Sequence, residues 1–381
     1  MVPYVLVAAV AAAAAYVCTP AVRAVAIRIG GYDVPTDRKL HQVPAPTFGG
    51  IAIYVGIVVA FAIALTIGDL REAFRFSEVF GLLLGGFVVL LLGILDDHRD
   101  LAPPAKLAGQ VFAGGILFLS GVQMSFFWLP GLGVISLSPD ISAVLTIVWV
   151  LLLTNAVNYI DGLDGLAAGL AAIAAAGLFV YSTRLPSEFL GPDPLAPLAT
   201  AAVVGACIGF LPHNFNPARI FMGDTGAMPL GYFLAGATIS MIGRYNGPGA
   251  AGGRLALPLI FTPIVFLAVP LTNVALVTLR RLSARRPIFS ADNEHIHDRL
   301  LRLGHSHRRA VLIMYGWALL MTTGLVVSGT ISWGRFVLAF AVAGGTVLVL
   351  TLAPRLRAAG ADRAEAATAS AQVSERTEPG S

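Results

Sequence analysis

Charge is scarce in this chain. Only 12% of its 381 residues are Asp, Glu, Lys or Arg, 57% are hydrophobic, and the mean hydropathy is +0.80. Soluble globular domains carry about a quarter charged residues, so this balance excludes that class and predicts an integral membrane protein. Cysteine is scarcer still: Cys18 and Cys207 each sit in an apolar run. Their number and setting exclude a disulfide framework and a thiolate metal site, and read both as small core residues. No basic segment precedes the first apolar run, which opens Met1-Val-Pro-Tyr and continues to about Ile29. The expectation is an uncleaved first span rather than a signal peptide. No internal repeat is visible, so an inverted-repeat transporter gains no support. The chain is nevertheless basic, with a pI of 9.3 and a net charge of +4. In a membrane protein that surplus belongs to loops facing anionic headgroups rather than to nucleic acid.

What the sequence does have is apolar length. At about 1.5 Å per residue and about 20 residues per crossing, spanning runs fall near 2–22, 48–68, 79–95, 105–121, 141–159, 163–183, 196–213, 227–243, 255–279, 310–329 and 332–352. The predicted fold is an all-α polytopic membrane protein of about eleven transmembrane helices, one membrane domain over 1–352. Residues 353–381, rich in Ala, Glu, Arg and Ser, read as a disordered tail. With the N-terminus outside, one face collects 19 of the 25 Lys and Arg residues. The positive-inside rule therefore predicts an outer N-terminus and a cytoplasmic C-terminus. Every charge-dense loop then lands on the cytoplasmic side: 30–47, 96–104, 155–165, 213–226 and 280–309. Among the outer loops, Val122–Pro139 alternates apolar and polar residues around Pro130-Gly-Leu-Gly133 and predicts a small outer β-hairpin.

Five polar constellations interrupt the apolar runs. The organising one is Asn155-Ala-Val-Asn158-Tyr-Ile-Asp161-Gly162-Leu163-Asp164-Gly165. Ionisable groups cost about 2.5–3.5 kcal/mol each at a membrane helix centre, so they mark function or a membrane rim. The spacing of Asp161 and Asp164 suits one face of a helical turn, or a helix N-cap. A second constellation, Asp96-Asp97-His98-Arg99-Asp100, places adjacent carboxylates at the end of a span. They require a cation, an Arg partner or a raised pKa, unless they are simply a solvated helix end. Asp33, Asp37, Arg38, Lys39 and His41 form a third, either a basic anchor or a seat for an anion. The fourth runs from Gly209 to Gly226 and combines His213, Asn214, Phe221 and Asp224, although Gly-Asp-Thr-Gly is also a good turn sequence. The fifth holds His295, His297 and Asp298, then His305, His307, Arg308 and Arg309. Zinc is disfavoured there, because no cysteine accompanies the histidines and the arginines repel a cation. Phosphate oxygens suit such a cluster better. A magnesium-bridged polyphosphate, with a second substrate arriving from the lipid, accommodates the whole inventory.

In their order along the chain these motifs resemble the polyprenyl-phosphate N-acetylhexosamine-1-phosphate transferases, a family that includes phospho-MurNAc-pentapeptide translocase. The resemblance covers about residues 20–315 and is carried by Asp96-Asp97, Asn155-x-x-Asn-x-x-Asp-Gly-Leu-Asp-Gly-Leu-Ala, Phe221-Met-Gly-Asp-Thr-Gly and the His-x-His loop. The Asp33-Val-Pro-x-x-Arg-Lys-x-His opening and Glu294-His-x-His look most like the UDP-N-acetylglucosamine branch. The resemblance implies that polyprenyl phosphate attacks the β-phosphorus of UDP-N-acetylglucosamine, UMP leaves, and polyprenyl-diphospho-N-acetylglucosamine stays in the membrane. It implies catalytic roles for Asp96, Asp97, Asp224, His295 and His297. Magnesium, or manganese in its place, would be held by Asp224 with Asp97 and Asp161. Substrate contacts would come from Asp33, Arg38, Lys39, Asn155, Asn158, Asp161, Gly162, Leu163, Asp164, Asn214, Phe221, Arg308 and Arg309. Asp298 stands where the family often has a further histidine, which leaves open which histidine is functional. A homodimer is compatible with the resemblance.

The physics asks little of a general base. A phosphate monoester titrates near pKa 6, so the attacking oxygen is mostly dianionic at pH 7, and its obstacle is repulsion from the diphosphate. The runner-up substrate is UDP-MurNAc-pentapeptide. A transporter would carry ionisable residues at mid-membrane on several spans, and a non-catalytic scaffold would leave five polar loops unexplained. An Ala-, Gly-, Val- and Arg-rich composition fits a GC-rich bacterial genome. The expected setting is thus the bacterial plasma membrane, with a cytoplasmic active site feeding cell-envelope glycan synthesis.

Overall fold

Backbone amides find no water inside a bilayer, so apolar runs of this length close their hydrogen bonds internally as helices. The computed structural model describes residues 1–33, 44–73, 75–129, 133–184, 195–242, 268–283, 296–327, 332 and 334–354, and a helix occupies each apolar run within them. In chain order these are α1 (Val2–Arg28), α2 (Gly50–Ala64), the short α3 (Gly68–Ala73), α4 (Phe76–Arg99), α5 (Pro103–Leu119), α6 (Pro139–Asn158) and α7 (Leu166–Arg184). They continue as α8 (Leu195–Asn214), α9 (Asp224–Ile242), α10 (Ala268–Ser283), the short α11 (Ile296–Arg302), α12 (His307–Val327) and α13 (Gly334–Pro354). Six of them, α1, α4, α6, α7, α8 and α13, are long and apolar enough to cross a membrane. The chain is a helical membrane protein.

Local chemistry sets the ends. Pro103 and Pro139 stand in the first turns of α5 and α6, where a missing N–H costs nothing. Helix α4 stops at Asp100, whose φ of +47° is a left-handed conformation that Asp tolerates better than bulkier residues. Two short antiparallel pairs complete the elements. Strand β3 (Phe126–Leu129) pairs with β4 (Gly133–Ser136), in register Phe126 to Ser136, which is the hairpin expected from the alternation. A second pair, β1 (Tyr32–Asp33) with β2 (Ala45–Pro46), was not expected; two residues a side carry too little pattern to read.

The outer surface is apolar, unlike that of a soluble protein. Leu119 is 84% exposed, and the apolar stretch of α13 buries none of its residues. Side chains of that kind are stable outside only when lipid is the solvent. The interior centres on α9, which is buried continuously from Thr225 to Met241. A helix apolar on all sides belongs at the centre of a bundle, and α9 packs against α2, α4, α6, α7 and α8. Gly93 lets α4 cross the start of α9 closely, since a Cβ there would collide with the backbone of Asp224 and Thr225. Helix α1 lies along α2 and α8. A second apolar cluster joins Ile160, Leu163, Leu166 and Leu170 to Leu300, Ala310, Val311 and Met314, which fixes α11 and α12 against the α6–α7 junction.

Candidate active site

The first N–H groups of α9 have no acceptor inside the helix. Asp97, three residues before the end of the expected second constellation, supplies acceptors from a different helix. Its Oδ1 accepts the Asp224 N–H at 2.9 Å, and its Oδ2 accepts the Thr225 N–H at 3.2 Å and the Thr225 hydroxyl at 2.5 Å. Thr47 Oγ1 donates to the same oxygen at 3.4 Å. A carboxylate at the positive end of the central helix is electrostatically well placed, and it locks α4 to α9.

That lock presents Asp224 to its neighbours. Asn158, on the last turn of α6, donates to Asp224 Oδ1 at 2.6 Å. Lys106, on the first turn of α5, donates to Oδ2 at 2.8 Å and also pairs with Asp96 Oδ2. Asp96 is itself oriented by the Leu101 N–H, 2.9 Å from its Oδ1. Beneath them Asn155 donates to Gln110 Oε1 at 2.8 Å and to the Leu151 carbonyl at 2.7 Å, with Gln110 fully buried. Asp161 lies in the turn after α6. Burial first, and then the negative charges of Asp224, Asp97, Asp164 and Asp33, push its carboxyl well above the usual carboxylate range.

Other polar residues of the same loops hold the frame. Asp164 Oδ2 accepts from Asn216 Nδ2 at 2.9 Å and from the Ala218 N–H at 3.0 Å. Asn214, buried, accepts the Gly165 N–H and donates to the Ile220 carbonyl, both at 3.0 Å. Tyr315 on α12 donates to the Gly165 carbonyl at 2.5 Å, and Arg308 donates to the Asn216 carbonyl at 2.9 Å. Leu163 is buried in the apolar cluster with Leu300 and Met314. The His297 imidazole, also buried, lies directly over Gly162, where a Cβ would meet its Nε2. Phe221, whose N–H donates to the Pro46 carbonyl at 2.8 Å and whose carbonyl accepts the Gly49 N–H at 3.0 Å, ties the loop before α9 to β2.

The sequence-predicted residues thus fall into three groups. Asp96, Asp97, Asn158 and Asp224 meet directly, with Asp161 close enough to feel the charges of Asp224, Asp97, Asp164 and Asp33. Asn155, Gly162, Leu163, Asn214, Phe221, His297 and Arg308 pack or brace around them, and Arg309 is exposed on the first turn of α12. Arg38, Lys39 and His295 lie outside the described residues. His305 turns elsewhere, with Nε2 2.9 Å from the Thr351 carbonyl on α13. Lys106 entered the sequence reading only as one of the 19 basic residues on the predicted cytoplasmic face. The signal that could have found it is its rarity, because Lys39 and Lys106 are the only lysines in the chain.

Among the described residues no group of three or more His, Cys, Asp or Glu side chains is arranged to hold a metal ion by itself. The donor chemistry nevertheless fits a hard divalent ion. Several carboxylates crowd together, and Mg²⁺ characteristically takes only one or two of them and fills its remaining positions with phosphate and water.

The profile of glycosyl transferase family 4 matches residues 79–242, the part from α4 to α9 that carries Asp96, Asp97, Lys106, Asn158, Asp161 and Asp224. The chain is 37% identical to the decaprenyl-phosphate N-acetylglucosaminephosphotransferase of Mycolicibacterium smegmatis, over 92% of its own length and 88% of that protein's. The chain belongs to glycosyl transferase family 4, among the polyprenyl-phosphate N-acetylglucosamine-1-phosphate transferases. It is also 34% identical to the probable undecaprenyl-phosphate N-acetylglucosaminyl 1-phosphate transferase of Bacillus subtilis, over 84% of each chain. With the phospho-N-acetylmuramoyl-pentapeptide-transferase of Desulforudis audaxviator the identity is 32%, over 86% of this chain and 97% of that one.

Proposed function

We propose that this protein transfers N-acetylglucosamine-1-phosphate from UDP-N-acetylglucosamine to polyprenyl phosphate, releasing UMP. The observation that carries the proposal is the joint of α4 and α9. Asp97 caps α9, and this fixes Asp224 beside Lys106, Asn158 and Asp96 at one end of a lipid-exposed bundle. The names of the relatives support the N-acetylglucosamine branch over the MurNAc-pentapeptide one.

In the proposed reaction a phosphate oxygen of the lipid forms a bond to the β-phosphorus, and the bond from that phosphorus to the bridging oxygen breaks. The electron pair leaves with UMP. A dianionic nucleophile needs no proton removed, so the residues serve to position and neutralise charge. Asp224, with Asp97 and Asp161 near it, would hold Mg²⁺, which when bound neutralises the diphosphate oxygens. Asp97 keeps both oxygens engaged in the cap, so its part is to aim Asp224. Lys106 brings a positive charge to the edge where two phosphates must meet. Phe221 and the Asn158–Asp161 turn form the nucleotide side, and His297 and Arg308 close it.

The same reading extends to the membrane. Eleven crossings, an outer N-terminus and a cytoplasmic site are our reading of the eleven apolar runs in the sequence and the asymmetry of Lys and Arg. On that reading the enzyme works in a bacterial plasma membrane, at the start of a cell-envelope glycan. The test is an assay in detergent with polyprenyl phosphate, Mg²⁺ and each labelled UDP-sugar, following UMP. UMP release with UDP-N-acetylglucosamine, lost in Asp224→Asn, is expected. Transfer from UDP-MurNAc-pentapeptide alone overturns the sugar assignment, and full activity of Asp224→Asn at saturating Mg²⁺ overturns the metal assignment.

A further inference from the structure

Lys106 occupies an unusual position among its acidic neighbours. Its ammonium bridges Asp224 Oδ2, at 2.8 Å, and Asp96 Oδ2, so two carboxylates from different helices share one cation. The carboxylate it shares is the one that Asn158 and the Asp97 cap have aimed. A lysine is suited to such a seat in a way that arginine is not. Its ammonium is a compact point charge on a flexible stem, whereas a guanidinium forks rigidly onto its acceptors. The seat holds one of the chain's two lysines. Asp96 differs from Asp224 in being anchored by a backbone donor, the Leu101 N–H, and its carboxyl also hydrogen-bonds to that of Asp224.

We propose that Lys106 is an exchangeable placeholder cation, holding Asp224 until a divalent metal displaces it and then remaining tethered to Asp96. This rests on the reading of Asp224 as a metal ligand. Without metal, the ammonium pairs with both Asp96 and Asp224, whose carboxyl groups also hydrogen-bond to each other, and keeps α4, α5 and α9 together. On loading, the metal takes Asp224 Oδ2. The lysine swings through its stem rotamers onto Asp96 alone, where its charge faces the phosphates. Two like charges cannot share one carboxylate oxygen cheaply in a partly desolvated site, so the lysine and the metal compete.

The test uses metal alone, with no substrate. Mn²⁺ binding to the purified full-length protein is followed by electron paramagnetic resonance in wild type, Lys106→Gln and Asp224→Asn. The expectation is at least tenfold tighter Mn²⁺ binding in Lys106→Gln and loss of that site in Asp224→Asn. Unchanged or weaker binding in Lys106→Gln, with Asp224→Asn still losing the site, overturns the placeholder and leaves the metal reading intact. Unchanged binding in Asp224→Asn overturns the metal reading itself. A second measurement avoids substituting Lys106. With ¹³C-lysine and Lys39→Arg, a single lysine Cε resonance remains, and it should move on titration with Mg²⁺. A resonance that stays in place as Mg²⁺ saturates the protein overturns the exchange.

Discussion

Asp97 and Asp224 stand 127 residues apart in sequence and meet through a backbone hydrogen bond of 2.9 Å, Asp97 Oδ1 accepting the Asp224 N–H. One aspartate thus caps, from another helix, the helix that begins with the other. The pair is a joint as much as a pair of acids, and its geometry separates two roles that look alike in the sequence.

Replacing Asp97 tests that separation. Asp97→Ala strands buried donors at the start of α9 and should cost roughly 2–3 kcal/mol, read as a lower thermal midpoint in detergent. Asp97→Asn keeps one acceptor and should lose less stability while still lowering kcat. Its pH–rate profile should retain the limb set by the phosphate nucleophile near pH 6. Disappearance of that limb would instead make Asp97 a base.

Asn214 should behave as a brace. Its amide joins the Gly165 N–H to the Ile220 carbonyl, linking the α6–α7 junction to the loop before α9. Asn214→Ala leaves both partners buried and unpaired, at about 1–3 kcal/mol for each group left without a partner. The expected signature is a fall in thermal midpoint with the KM for the sugar nucleotide little changed in the folded fraction. A large KM increase without loss of stability would place Asn214 on the substrate.

Gly162 and His297 form a steric pair. A methyl at Gly162 would meet the imidazole, so Gly162→Ala must push His297 off its seat. A small displacement of a positioned group costs about 10²-fold, and a loss of that order is expected in kcat. In the Gly162→Ala/His297→Ala double variant the clash is gone. The two substitutions should therefore be strongly non-additive in activity. Simple additivity would mean that the imidazole does not depend on Gly162.

Asp161 gives the pH dependence. Its carboxyl is held above the usual carboxylate range by burial and by Asp224, Asp97, Asp164 and Asp33. The native state then keeps a proton that the unfolded chain has released. The contribution of this carboxyl to stability without metal is therefore fully present below about pH 4, the unfolded value, and is lost as pH rises through the folded one. Asp161→Asn removes that slope and should raise the metal-free thermal midpoint at neutral pH. The gain should vanish near pH 4. A metal-free Asp161→Asn protein less stable than wild type at pH 7 would contradict this electrostatic account.

Much of the architecture was legible because it is decided locally. A run such as Val2–Arg28 is overwhelmingly apolar and finds no water in lipid to satisfy its backbone amides, so it closes them internally as a helix. The β3–β4 hairpin was legible from its alternation. The positions of Asp96, Asp97, Asp161 and Asp224 at span ends were legible too, because a carboxylate there is expensive without a reason. Lys106 was not, since a lysine at the rim of a helix looks like any membrane anchor until its partners are known.

The sequence by itself determined which segments enter lipid, where the polar loops lie and which side chains are available to them. Composition and the cost of burying charge act residue by residue, and no other part of the chain can alter them. Tertiary structure alone decided which residues share a hydrogen bond. Asp97 became a cap, Asn214 and Asp164 became braces, and Lys106 became the cation between Asp96 and Asp224, because contacts at 2.5–3.5 Å depend on how helices far apart in sequence pack. Gly93, by letting α4 cross the start of α9 closely, and Gly50, by letting α2 do the same, are small residues that such packing requires.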